Sequence, residues 1–167
     1  MPRFQPEEIF RVLDHHQIKY VVIGGIAATL HGSNLRTGDV DICPARDPRN
    51  LDLLAAALRE MGARIRTADV PEGLPFACDA QFLAGIDLLN LVTRFGDFDV
   101  LFVPAGTTGF EDLARHAVRI ELAPIIVPVA SLEDVIRSKR AAGRVKDLQQ
   151  IPTLEILLEE IRKRGAS

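Results

Sequence analysis

The stretch Lys19–Cys43, KYVVIGGIAATLHGSNLRTGDVDIC, decides how this chain is read. Tyr20-Val-Val-Ile23 is a run of aromatic and β-branched residues, the composition of a buried strand, and Gly24-Gly25 halts it. Ile26 to His31 then reads as a short helix closed by Gly32, and Asp39-Val-Asp-Ile-Cys43 as a second strand ended by Pro44. Strand alternation sends Asp39 and Asp41 to one face while Val40 and Ile42 point to the core.

Two carboxylates on one strand face suit a hard divalent cation, which is bound through one or two carboxylates plus the phosphates of a substrate. An acid-x-acid pair by itself also describes two solvated aspartates on an exposed strand, and a Gly-Gly pair by itself describes an ordinary turn. Together they are more specific. Glycines between a strand and a helix let backbone amides approach phosphate oxygens, and the helix N-terminus favours the anion.

Outward from this stretch, helix and strand patterns alternate. Pro6 to His16 opens with proline and the acidic pair Glu7-Glu8, as a helix does. Asn50 to Met61 carries Leu51, Leu54, Ala55 and Leu58 on one helical face, with Gly62 just beyond. Ala63 to Thr67 alternates like a strand, and Asp69 to Asp79, with two prolines and a glycine, reads as loop. Leu88–Phe95 and Phe98–Val103 read as a hairpin turning at Gly96-Asp97. A short helix at Phe110–His116 and strands at Val118–Leu122 and Ile125–Val129 follow. Beyond Ser131, a capping-box-like start three residues before Asp134, the pattern is helical: one helix to Gly143, another from Arg144, and a last one after Pro152. The expectation is one α/β (α+β) domain over residues 1–167, with a core to about residue 129 and a helical tail from 131.

Composition bounds the function. The chain has 167 residues, 47% hydrophobic and 26% charged, which fits an ordinary globular domain. A net charge of -3 gives no broad basic surface for coating nucleic acid, and no helix-turn-helix pattern is visible, so a DNA-binding regulator is disfavoured. Cys43 and Cys78 are far apart and belong to no CxxC or Cys/His cluster, which argues for buried reduced thiols. MPRFQPEEIF lacks an apolar signal core and no run is long enough to span a bilayer, so a cytoplasmic location without membrane partners is expected.

Ile23-Gly-Gly25, thirteen residues, then Asp39-Val-Asp-Ile42 resembles the signature of the DNA polymerase β-type nucleotidyltransferases. Gly24-Gly25, His31-Gly32, Arg36-Thr-Gly-Asp-Val-Asp41 and Ser131 to Asp147 look more narrowly like the small bacterial nucleotidyltransferase proteins related to AbiEii toxins. The resemblance implies a nucleotidyltransferase fold, a mixed sheet flanked by helices with a helical C-terminal segment. It implies Mg2+ or Mn2+ held by Asp39, Asp41 and a third acid on a later strand. Asp99 in Gly96-Asp-Phe-Asp-Val-Leu101 is the first choice for that acid; Asp97 shares its face but has a sufficient role as a turn residue, and Asp87 is a weaker option.

The same resemblance places Gly24, Gly25, Arg36, Thr37, Lys139, Lys146 and Asp147 on the nucleotide side. Lys139 and Lys146-Asp147 match a Lys and Lys-Asp element of AbiEii-like proteins; composition alone would make this stretch a solvated helix face. Arg36 can pair with a metal-site carboxylate or meet a phosphate, Thr37 can equally cap its loop, and His31 reads first as a structural residue. One departure is visible: many members have Ser where this chain has Gly25, so the phosphate turn would rely on backbone amides. The implied activity is transfer of a nucleoside monophosphate from an NTP to an acceptor hydroxyl. The acceptor could be an RNA end such as that of tRNA, a protein side chain or a small molecule such as an antibiotic. A toxin role with a cognate antitoxin is implied by the resemblance alone. The alternative is a non-catalytic nucleotide sensor or protein-binding component on the same fold.

Overall fold

The computed structural model describes residues 2–165. Its sheet contains β1 (Tyr20–Ile23), β2 (Asp39–Pro44), β3 (Arg64–Ile65), β4 (Leu88–Thr93), β5 (Gly96–Leu101), β6 (Val118–Leu122) and β7 (Ile125–Val129). They form one seven-stranded sheet in the order β3-β4-β5-β2-β1-β7-β6. The sheet is mixed: β2–β5 and β1–β7 are parallel, and the remaining neighbours are antiparallel. The central strand, β2, and its neighbour β1 therefore come from the stretch that carries the glycine pair and the acidic pair.

Helices α1 (Pro6–His15), α2 (Gly24–Leu30), α3 (Pro48–Glu60), α4 (Ala80–Ala84), α5 (Phe110–Ala114), α6 (Leu132–Ala142) and α7 (Val145–Gly165) flank the sheet. Their apolar faces join the inner strands in one buried cluster that includes Phe10, Ile42, Leu54, Leu58, Phe98, Leu113 and Leu154. The helix starts follow local chemistry. Asp47, Asp79 and Ser131 each accept a hydrogen bond from the backbone N–H three residues on, which satisfies a donor that the helix itself leaves free. Gly143, at φ 66°, ends α6 in the left-handed conformation. No helix among the described residues is long and apolar enough to cross a membrane.

Four boundaries differ from the sequence expectation, each for a visible reason. Gly24 and Gly25 are the first turn of α2 rather than a loop before it. The β4–β5 hairpin turns at Arg94-Phe95, because Thr93 pairs with Gly96 and its hydroxyl donates to the Gly96 carbonyl at 2.8 Å. Asp97 is consequently a strand residue and not a turn residue. β3 has only two residues, after which the chain bends back so that Ile65 bridges Leu74. Finally, one helix, α7, runs through Pro152. The missing N–H at Pro152 leaves the carbonyl four residues earlier, on half-exposed Leu148, to solvent, so the interruption is tolerated on that side. Of the two free thiols, Cys43 is buried and Cys78 is half-buried.

Leu154 is fully buried and anchors α7 to the core. Leu154→Ala should lower the unfolding free energy by about 3 kcal/mol through lost transfer energy and the cavity left behind, measured by urea denaturation. A change within about 0.5 kcal/mol would show that α7 is not part of the cooperative core.

Candidate active site

Parallel pairing of β2 with β5 sets Asp41 beside Asp99 and Asp39 beside Asp97, and antiparallel pairing sets Ile23, the last residue of β1, beside Asp41. The acids of two strands and the turn into α2 thus meet at one end of the sheet. Asp39, Asp41 and Asp99 each offer a carboxylate oxygen within 4.8 Å of the others. Asp97 lies outside this triad and faces Arg66 at 3.6 Å, while Asp87 is taken up by Arg46 at 2.7 Å on the surface.

Three carboxylates this close repel one another. Burial first, then the charges of Asp39 and Asp99, push Asp41 up to about 8. Burial also raises Asp99, to about 6, against the opposing pull of the Arg66 guanidinium. Arg66 donates to Asp99 Oδ1 at 2.9 Å and to the Leu91 carbonyl at 2.9 Å, so it holds one oxygen of Asp99 from the β3 side. An all-oxygen donor set of crowded carboxylates fits a hard divalent ion, whose charge would relieve the repulsion.

Gly24 is required by both backbone and space. Its φ is 69°, and a Cβ there would lie 2.3 Å from Asp41 Oδ2. Gly25 is different: a Cβ would come within 3.3 Å of Thr37 Oγ1, which itself donates to the Asp39 carbonyl at 3.1 Å. The Thr37 hydroxyl therefore occupies the space beside Gly25 and ties the 36–38 loop to the acidic strand. His31 serves the scaffold, with Nε2 2.8 Å from the Ala130 carbonyl.

The acidic triad, the Gly24-Gly25 turn and Thr37 line a cavity of about 440 Å3 whose opposite wall comes from α6 and α7. Gly24, Gly25, Arg36, Thr37, Lys139, Lys146 and Asp147 all border it with the acidic triad, so every site residue expected from the sequence converges there. Within that wall the roles divide. Asp147 is 1% exposed and binds Arg144 at 2.6 Å and Lys139 at 3.6 Å. Burial acts to raise Asp147, and the two cations overcome it and hold the carboxyl below its usual range. Lys139 Nζ also donates to Gln150 at 2.8 Å, and burial lowers its affinity for a proton. Arg36 and Lys146 are exposed cations on the rim, as is Arg144. Arg66, Asn90 beside Asp99, and Gln150 are polar residues that sequence reasoning missed. Arg66 lies in the alternating 63–67 stretch, but only the fold brings it to an acid 33 positions later.

No family model matches the chain, and no curated protein matches it in sequence. Solved structures do match in shape. The lincosamide antibiotic adenylyltransferase LnuA, in its lincomycin-bound form, superposes with a TM-score of 0.60 at 17% identity, covering 93% of this chain and 99% of that one. A Thermotoga maritima protein assigned to the nucleotidyltransferases gives 0.53 at 17% identity, with 95% and 97% coverage. ANT(2'')-Ia in complex with adenylyl-2''-tobramycin gives 0.52 at 16%, with 95% of each chain covered. The fold is the nucleotidyltransferase fold, a mixed sheet flanked by helices with a helical C-terminal segment.

The crowding of the acids has a measurable consequence. A carboxyl that titrates at 3.8 when unfolded and near 8 when folded binds its proton more tightly in the folded state. Its contribution to stability is complete below 3.8 and is lost as pH rises through about 8. In chelator, wild-type melting temperature should therefore fall across that window more steeply than that of Asp41→Asn, and Mg2+ should restore the wild type at the alkaline end. Parallel pH profiles for the two proteins in calorimetry would contradict the crowded-acid description.

Proposed function

We propose that this chain is a Mg2+- or Mn2+-dependent nucleotidyltransferase that moves a nucleoside monophosphate from an NTP to a hydroxyl of a small molecule. The observation that carries the reading is the convergence of the Asp39–Asp41–Asp99 triad, the Gly24 turn and the α6–α7 cations on one cavity. The metal, held by Asp39, Asp41 and Asp99, would supply Lewis-acid polarisation of the phosphate and charge neutralisation. The chain's own groups do the rest. The start of α2 turns backbone amides toward a phosphate, with Gly24 leaving room for Asp41. Lys139, Lys146, Arg144 and Arg36 offset the triphosphate charge, and buried Asp147 orients two of them. The acceptor oxygen attacks the α-phosphorus, the bond to the pyrophosphate oxygen breaks, and the acceptor's proton passes to Asp99, whose carboxylate Arg66 holds by one oxygen.

A small-molecule acceptor is favoured by the neighbours, which include a lincomycin-bound adenylyltransferase and a complex with an adenylylated aminoglycoside. The AbiEii-like resemblance at residues 23–42 and 131–147 supports a different use of the same chemistry, on an RNA end, as a toxin neutralised by an antitoxin. The position of Gly25 against Thr37, without a serine hydroxyl, is what favours a nucleotide sensor that binds without transferring.

One assay separates these readings. The protein is incubated with labelled NTPs and Mg2+, together with a panel of hydroxylated small molecules, including lincosamides and aminoglycosides, or with bulk tRNA. Label should pass to a small molecule, and Asp39→Ala or a chelator should reduce the rate on the order of a hundredfold or more. Label on tRNA would favour the toxin reading. Mg2+-dependent nucleotide binding with no transfer to any acceptor would favour the sensor.

A further inference from the structure

We propose that β6 is a self-association edge through which two copies of this chain join their sheets antiparallel. β6 is the last strand of the sheet and has no neighbour beyond it. Its sequence, Val118-Arg-Ile-Glu-Leu122, is complementary to itself when reversed. A two-fold axis at Ile120 sets Arg119 opposite Glu121 of the second copy, Glu121 opposite its Arg119, and Val118 opposite its Leu122. Opposite charges directly across a strand pair are stabilising, and like charges are not. A symmetric interface requires this kind of self-complementary patch.

The backbone is in phase with the side chains. Arg119 pairs with Pro128 in the β6–β7 hairpin, and proline has no N–H to give, so this is a non-hydrogen-bonded pair of the ladder. Ile120 opposite Val127 is then a hydrogen-bonded pair, and the N–H and C=O groups of Arg119 and Glu121 point away from β7, toward the open edge. Those are the residues whose charges match across the axis. Each Arg119–Glu121 pair can exchange both of its backbone hydrogen bonds, with Ile120 meeting its symmetry mate between them.

Both faces of the edge are also suited. Val118, Ile120 and Leu122 lie on the same face as Val127 and Val129, which are fully buried, so a second copy extends the apolar layer. Val118 is 43% exposed in the single chain, and Ile120 and Leu122 are only partly covered. On the outer face Arg119 and Glu121 are exposed and take part in no ion pair among the described residues. The devices that usually blunt an edge, a proline, a bulge or an inward-pointing charge, do not occur within Val118–Leu122. β7 and β1 separate β6 from the acidic strand β2, so pairing at this edge leaves the candidate active site open in each copy.

The test is sedimentation equilibrium of the full chain with circular dichroism to confirm folding. Wild type should sediment at twice 18.4 kDa. Glu121→Arg sets like charges opposite each other at both symmetry-related pairs and should weaken the dimer about tenfold or more. The double swap Arg119→Glu with Glu121→Arg rebuilds the complementarity in reverse and should restore the wild-type constant. Arg119→Pro removes the outward-facing N–H together with the Arg119 charge and should give a folded monomer. A monomeric wild type, a dimer untouched by Glu121→Arg and Arg119→Pro, or a double swap no better than the single reversal would each overturn the proposal.

Discussion

The pairing of β2 with β5 in parallel, with Asp41 set beside Asp99, is the constraint around which the candidate site is built. Side chains on neighbouring strands at the same register project to the same face, so this pairing puts carboxylates from two distant segments together and forces them to share charge. One-residue slippage would send Val40 and Ile42, both fully buried, to the solvent side, and the core therefore locks the register that crowds the acids. Burial first, and the neighbouring charges after it, raise the proton affinity of Asp41 and Asp99.

Several features make sense as responses to this crowding. Gly24 takes a left-handed φ where any Cβ would strike Asp41, so the turn into α2 can close over the acid. Arg66 reaches from the end of β3 to fix one oxygen of Asp99 at 2.9 Å and also faces Asp97 at 3.6 Å. On the far wall the arrangement is inverted: buried Asp147 gathers Lys139 and Arg144, and the wall presents positive charge to a cavity whose floor is negative. A divalent ion held by the acids, together with the cations opposite, would suit the proposed nucleotide as a polyanion bridging the two.

Much of this was legible from local pattern. The strand–glycine–helix–strand order of residues 20–44 and the β6–β7 hairpin could be read because β-branched runs and glycines act locally. So could the Ser131 cap and the left-handed end of α6 at Gly143. The failures share one cause. The hairpin turn moved from Gly96-Asp97 to Arg94-Phe95 because cross-strand register, and the contact of Gly96 with Phe4, outweigh a turn-like dipeptide. Helix α7 continues through Pro152 because the residue that loses its partner faces solvent, something no dipeptide rule reveals.

By itself the sequence determined which residue types were available and on which face of their own element they lie: Asp39 with Asp41, Asp97 with Asp99, Arg119 with Glu121, since alternation along a strand is a property of the backbone. Only the tertiary structure decided which of those faces meet. Strand register brought a carboxylate oxygen of Asp99, rather than one of Asp97, close to Asp39 and Asp41, and the packing of α7 buried Asp147 against two cations. The tertiary structure also left β6 at an edge of the sheet, paired on its β7 side alone among the described residues. The acidic triad and the edge position of β6 depend on contacts between segments far apart in the chain, set by packing of the whole core, and no local pattern encodes them.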